Sequence, residues 1–407
     1  MPTATPESVG MSSERLQRID DYFQRFVDND QIAGAVSLVA RHGRVVHHSA
    51  VGLKYREENI PMTTDTIFAL ASMTKPIVST ALMMLFEEGR FRLDDPISDW
   101  IPEYADHMVL ENDGPIPRRV SESSPVTIRQ VLTHTSGLTL DPANKGLSEE
   151  ELRWVTNDGE QFSTLGERVA RAATIPGAFH PGEHWQYGAS TDYVAVLVEN
   201  ISGQSIDQFL SQRIFEPLGM HDTFYNVPRD RVDRVAARYV PGDDFTAELQ
   251  RPPSFAEPNT YFPGVSGLNS TSSDYIRFAQ MIANGGELDG VRLLGRMTVD
   301  LMISNHTDDK YVYVRGPGYG FGLGVGVLVD PTKSLDTLSP GSYGWGGAFG
   351  TLYYADPVED LVGLMFIQLR GHGPLNIRQR FTNVVSQSVV DSVADRQPKV
   401  QGYSTAP

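Results

Sequence analysis

Pro76 constrains local structure more tightly than any other residue of this 407-residue chain. An apolar stripe at Ile77, Val78, Ala81, Leu82 and Leu85 follows it with the period of a helix. Proline is tolerated in the first helical turn, where its missing N–H has no partner to lose, but not deeper. The spacing therefore predicts a helix that starts at about Ser72–Thr74 and ends near Gly89. Ser72 then lies at the positive end of the helix dipole, with Lys75 as its i+3 neighbour about 5–6 Å away between Cβ atoms. A hydroxyl beside an ammonium at a helix start is suited to ionising a serine, because a partly desolvated lysine accepts a proton near neutral pH. Ser-x-x-Lys also arises by chance in long chains, and a serine before a helix often serves only as a cap. Other segments have to support the chemistry.

Composition removes several alternatives. There is no cysteine, which excludes disulfides, thiolate metal ligands and a cysteine nucleophile. Lys and Arg number 34 against 51 Asp and Glu, a formal charge of −17, which argues against nucleic acid or an anionic membrane as partner. The start, MPTATPE, lacks the basic and apolar regions of a signal peptide. No apolar run approaches the roughly 20 residues of a membrane span. The expectation is a cytoplasmic protein with a small-molecule substrate; its oligomeric state is not legible.

Residues 11–28 read as an amphipathic helix capped by Ser12-Ser13, with Leu16, Ile19, Phe23 and Val27 on one face. Two strand-like runs, 35–40 (AVSLVA) and 44–49 (RVVHHS), flank a hairpin turn at His42-Gly43. Short helices and long loops fill about 100–290, with a helix at 127–133 and capping boxes at Ser148/Glu151 and Thr164/Glu167. Helices are also expected over 192–200, 206–214 and 273–284. Strands return at 321–328, 350–354 and 361–369, before a last helix over about 377–393. This predicts an α/β (α+β) fold with an antiparallel sheet built from both chain ends, flanked by helices, and an inserted, mostly helical subdomain. The expected division is one catalytic domain over 10–395, with an α/β part from 10–70 and 295–395, a helical part from 71–294, and a tail at 396–407.

Two further segments bear on chemistry. Tyr187 lies on a loop (WQYGAS) just before a predicted helix, where a phenol near an ammonium is drawn toward phenolate and is able to act as a general base. Residues 341–351 (GSYGWGGAFGT) are glycine-rich and lead into a strand, which permits close backbone approach and an amide aimed at an oxyanion.

Ser-x-x-Lys, the tyrosine loop and aromatic-Gly-Gly, in that order, resemble the serine β-lactamase and penicillin-binding-protein superfamily. More narrowly, the chain resembles the family VIII carboxylesterases, which share the class C β-lactamase fold. Segments 68–76 (FALASMTKP), 132–138 (LTHTSGL), 185–203, 217–220 (PLGM) and 319–324 (YGFGLG) carry the likeness, which runs from about 10 to 390. The resemblance implies that Ser72 is the nucleophile and that Lys75 lowers its proton affinity. It makes Tyr187 the general base that returns the proton to the leaving alkoxide. The backbone amides of Ser72 and Ala348 become the oxyanion hole, and Trp345, Gly346 and Gly347 line the substrate pocket. No cofactor or metal is implied. Two departures bear on substrate. Trp345 stands where β-lactamases carry a lysine, and Ala189 where they carry an asparagine. Both changes disfavour a β-lactam carboxylate and its acylamide group and favour uncharged, apolar, short-chain esters; the Trp-Gly-Gly variant is shared with family VIII esterases.

Competing readings are weaker. Gly203-Gln204-Ser205-Ile206-Asp207 lacks the last glycine of a nucleophile elbow and falls between helices. In His180-Pro181-Gly182-Glu183-His184 the Pro-Gly pair breaks the helix that a two-histidine metal site needs. His47 and His48 read as surface and edge residues, and His134 as a structural residue that holds a loop. An acyltransferase that passes the acyl group to a small-molecule acceptor is the main alternative, since Tyr187-Gly188-Ala189 also resembles fungal polyketide acyltransferases of the superfamily. A β-lactamase or D,D-peptidase, or a decayed binding scaffold, stands behind it.

Overall fold

The computed structural model describes residues 1–111, 114, 117–156 and 162–392. The tail expected at 396–407 lies outside them. Helix α1 (Ser13–Asp28) is capped by the Ser12 side chain and followed by a hairpin of β1 (Gly34–Arg41) and β2 (Arg44–Tyr55), then a short β3 (Ile60–Pro61). Helix α2 (Thr74–Glu87) follows a 3₁₀ turn, Ala71–Met73. Next come α3 (Ile128–Leu132), α4 (Ser190–Ser202) and α5 (Ser272–Ala283). The C-terminal half supplies β4 (Tyr319–Phe321), β5 (Gly326–Leu328), β6 (Tyr343–Gly346), β7 (Leu352–Asp356), β8 (Leu361–Phe366) and α6 (Ile377–Ser386).

One antiparallel sheet runs in the order β4-β5-β6-β7-β8-β1-β2-β3, so the two chain ends meet where Val36 pairs with Phe366 and Arg41 with Leu361. Side chains alternate across β1: Val36, Leu38 and Ala40 join the core shared with α2, α4 and α5, while Ala35 and Val39 join the core under α1 and α6. Helix α2 is buried from Thr74 to Leu85, hydrophobic nearly all round, as a helix enclosed on every side must be.

Several expectations are corrected. The run at 321–328 is two strands, because residues 322–325 turn the chain back on itself and Phe321 pairs with Gly326. Within the glycine-rich stretch Tyr343–Gly346 is itself a strand, paired with Gly326–Val327 on one side and Leu352–Ala355 on the other. The 206–214 helix gives way after Leu210 to a wider π turn, and α6 ends at Ser386 rather than near 393. His47 and His48 are not surface residues. They point to opposite faces, but each face is covered: His47 meets Ser37 at 2.8 Å and Asp20 of α1 at 3.5 Å, and His48 meets Ser272 of α5 at 2.9 Å.

Arg41, 1% exposed, clamps the end of β1. Its guanidinium donates to the carbonyls of Val9, Gly10 and Glu359 and pairs with Glu359 at 3.1 Å and Asp391 at 3.0 Å, joining both termini to the β7–β8 turn. Removing one member of a buried charge cluster leaves the others uncompensated. Arg41→Met is therefore expected to lower stability by about 3 kcal/mol, and Arg41→Lys to restore little of it, because an ammonium lacks the planar fork. Chemical denaturation is the check; a loss too small to resolve would show that the cluster is not a clamp.

Candidate active site

Ser72 sits in the 3₁₀ turn that feeds α2, and the preceding residue, Ala71, has φ +47°, a left-handed conformation that a side chain opposes. Such strain persists only where the surroundings over-determine it. Here they do: Leu70 N donates to Leu268 O, Thr351 Oγ1 to Leu70 O, Gln368 Nε2 to Ala69 O and Tyr275 Oη to Met73 O. Four distant parts of the chain thus hold the hydroxyl of Ser72 in one place.

Lys75 is 3% exposed, and its Nζ donates to Ser72 Oγ at 3.1 Å and to the Val265 carbonyl at 2.8 Å. The Val265 N–H in turn donates to Asp192 Oδ1 at 2.9 Å, and Asp192 pairs with Arg168 at 3.3 Å. Burial raises the Asp192 carboxyl above the usual carboxylate range, opposed by Arg168, by the Val265 amide and by Lys75 itself. Sequence reasoning placed Asp192 only as a helix start. Its signal was a carboxylate near the start of the otherwise apolar helix DYVAVLV; the Val265 carbonyl, being backbone, had none.

The Tyr187 ring lies 4.8 Å from Lys75 Nζ, measured to the ring centre. Its loop is cradled by the LTHTSGL segment: Gln186 N donates to His134 O, Gly182 N to Thr135 O and Ala189 N to Thr139 O. Gly188 is required at this crossing, since a Cβ there would stand 2.5 Å from the Thr139 carbonyl. His134 holds the loop as expected, with its ring 4.9 Å from that of Tyr187. Burial and the Lys75 charge push its imidazole well below the ordinary histidine range. His180 and His184 do not act together: the His180 ring is taken by the Ser123 amide and Glu111, while His184 packs edge-on against Phe179.

Strand β6 brings Trp345 into contact with Tyr187, at 5.4 Å between ring centres. Its indole is more than the apolar wall that the sequence suggests, because Nε1–H donates to Tyr187 Oη at 3.3 Å. Gly347 lets the β6–β7 turn press on the Ser72 turn: a Cβ there would lie 2.1 Å from Leu70 O. Ala348 follows, exposed, and among the described residues its amide makes no hydrogen bond within the protein. A cation that the sequence did not reveal also lies close to this turn. Arg378 of α6 reaches back to donate to the Gly347 carbonyl, with its guanidinium carbon 2.8 Å from where a Gly346 Cβ would stand. Burial and the nearby Arg315 lower its proton affinity, while Tyr187 opposes them. Thirty residues of sequence separate Arg378 from Ala348, so only folding reveals it.

Ser72, Lys75, Tyr187 and Trp345 therefore form one chain of contacts, with Gly346 and Gly347 beside it. A serine hydroxyl touching a buried lysine, a phenol over the same ammonium and a free amide on the adjoining turn are parts that nucleophilic acyl chemistry uses.

The Beta-lactamase family profile matches residues 19–383. The chain is 34% identical to protein Rv1367c of Mycobacterium tuberculosis, over 84% of this chain and 87% of the relative. It is 31% identical to esterase EstB of Burkholderia gladioli, over 89% of this chain and 93% of the relative. Among solved structures, EstCE1, described as a hydrolase with promiscuous acyltransferase activity, superposes with a TM-score of 0.77 at 25% identity, covering 91% of this chain and 98% of its own. A match that spans nearly the whole fold, with the Ser72 turn, the tyrosine loop and the β6 edge all inside it, shows that this chain belongs to the Beta-lactamase family.

Proposed function

We propose that the protein is a serine carboxylesterase that hydrolyses short-chain carboxylic esters through an acyl-enzyme on Ser72. The observation that carries this reading is the contact of Ser72 Oγ with Lys75 Nζ at 3.1 Å, beside a Tyr187 hydroxyl held by Trp345. The likeness to esterase EstB over 89% of the chain supports the substrate class.

In this mechanism Tyr187 accepts the Ser72 proton while the Lys75 ammonium stabilises the developing alkoxide. Ser72 Oγ bonds to the ester carbonyl carbon, and the carbonyl oxygen gains negative charge facing the amides of Ser72 and Ala348. Collapse breaks the bond to the alcohol oxygen, which takes the proton from Tyr187. Water then attacks the acyl carbon, gives its proton to Tyr187, and the acid leaves as Ser72 is reprotonated. The indole N–H of Trp345 holds the Tyr187 oxygen in place. Ester substrates need no nucleic acid or membrane partner, and among the described residues no helix is long and apolar enough to cross a membrane. An alcohol in place of the water would make the same acyl-enzyme a transferase, a reading favoured by the likeness to EstCE1.

Labelling with a fluorophosphonate followed by peptide mapping is expected to place the adduct on Ser72. An adduct confined to any other serine would sink the assignment. Added alcohol should divert part of the acyl flux to a new ester, and an unchanged acid yield would remove the transferase reading.

A further inference from the structure

Residues 311–314 (YVYV) carry an exposed apolar surface that the mechanism does not use. Tyr311 is 61% exposed, Tyr313 48% and Val314 44%, while Val312 between them is fully buried in the main core. Val312 acts as a peg, and its carbonyl accepts from the amides of Arg315 and Gly316, which closes a turn around it. The outward side chains are thus held on a fixed turn. Clustered exposed apolar residues of this kind mark sites of contact, whereas scattered ones do not.

The turn is joined to the site. Tyr187 N–H donates to the Tyr313 hydroxyl at 3.2 Å. The Tyr313 ring packs edge-on against Trp185 at 5.2 Å, and Trp185 stacks on Tyr187 with only 15° between planes. A chain of ring contacts therefore runs from the buried Trp345 through Tyr187 and the buried Trp185 to the exposed Tyr313. A carboxylate lies near the Tyr313 hydroxyl and disfavours an anion there: Asp141, held by Gln186 at 2.8 Å. The neighbouring cation, Arg315, is turned inward over the Tyr319 ring at 4.3 Å, toward Asp336.

We propose that Tyr311, Tyr313 and Val314 form a specificity-determining lip that receives an uncharged, ring-bearing alcohol group of the ester. This rests on the esterase reading and on the role given to Tyr187. Tyr187 returns the proton to the alcohol oxygen, so the leaving group lies against Tyr187, and the surface attached to Tyr187 is the one it meets. Aromatic side chains suit this task because they offer wide apolar area with little conformational freedom to lose.

The test compares butyrate esters of ethanol, cyclohexylmethanol and naphthylmethanol, three primary alcohols chosen so that leaving-group chemistry varies less than size. The wild-type protein should favour the naphthylmethyl ester over the ethyl ester in kcat/KM. In Tyr313→Ala that ratio should fall about tenfold, mainly through KM, the loss expected when one aromatic wall is removed. Tyr313→Phe keeps the ring and should keep the ratio. The double variant Tyr311→Ser/Val314→Ser, which spares the Tyr187 contact, should lower it in the same direction. An unchanged ratio in either folded variant, with ethyl butyrate still hydrolysed by the wild type, overturns the lip alone. A wild-type protein that hydrolyses none of the three overturns the esterase reading and the lip with it.

Discussion

Lys75→Ala and Tyr187→Phe are each expected to lower kcat for ester hydrolysis by on the order of 10³-fold, with the double variant little worse than either. The reason is geometric. Lys75 Nζ touches Ser72 Oγ at 3.1 Å and lies 4.8 Å from the centre of the Tyr187 ring, so in the proposed mechanism one ammonium serves both the hydroxyl that loses a proton and the phenol that takes it. Without the lysine, the Ser72 oxygen loses the charge beside it. Without the phenol oxygen, the lysine has no base to assist. Groups that act on one step are strongly non-additive. Circular dichroism is needed beside the kinetics, because Lys75 also ties α2 to the Val265 carbonyl. Fully additive losses in folded variants, or near-normal kcat in Tyr187→Phe, would show that the two do not share a step.

A second large effect concerns substrate class. The kcat/KM for p-nitrophenyl butyrate is expected to exceed that for nitrocefin by at least about 10³-fold. At position 345 an indole occupies the place of the β-lactamase lysine and spends its one N–H on Tyr187 Oη, leaving no donor for a carboxylate. Ala189, at the head of α4, offers no side-chain amide. Arg378 does bring a cation close, but its guanidinium is engaged by the Gly347 carbonyl and packed against Gly346. Trp345→Ala should lower ester kcat, since the Tyr187 oxygen loses a hydrogen bond. Trp345→Lys should lower it too without creating a β-lactamase. Equal turnover of nitrocefin and the butyrate by the unaltered protein would overturn the assignment, and unchanged ester kinetics in Trp345→Ala would take Trp345 out of the site.

How much was legible before folding differs by element. The start of α2 was readable because proline and helix period act over a few residues, and the Ser72–Lys75 contact follows from i+3 spacing alone. The capping boxes at Ser148/Glu151 and Thr164/Glu167 both form, since each closes within one helical turn; a third, at Thr127/Gln130, was not read from the sequence. The β1–β2 hairpin formed with left-handed φ at His42 and Gly43, the backbone that such a turn needs. The glycine-rich strand β6 was missed, because glycine carries little strand propensity and only pairing with β5 and β7 makes it one. The two histidines of β2 were misplaced for a related reason: alternation gives opposite faces, but not which faces are covered.

Local order, in short spans where one residue constrains the next few, was therefore determined by the sequence itself: the start of α2, the hairpin, the capped helices and the order of the three motifs. The tertiary structure alone decided what converges from far away. It strained Ala71 by bonds from residues 268, 275, 351 and 368. It set Asp192 behind Lys75 through the Val265 peptide. It brought Arg378 to Gly347 and Tyr313 to Tyr187, and gave Trp345 a hydrogen bond instead of a purely apolar face. Such contacts depend on loop closure over tens to hundreds of residues, and their energy comes from burial and hydrogen bonding that no local window contains.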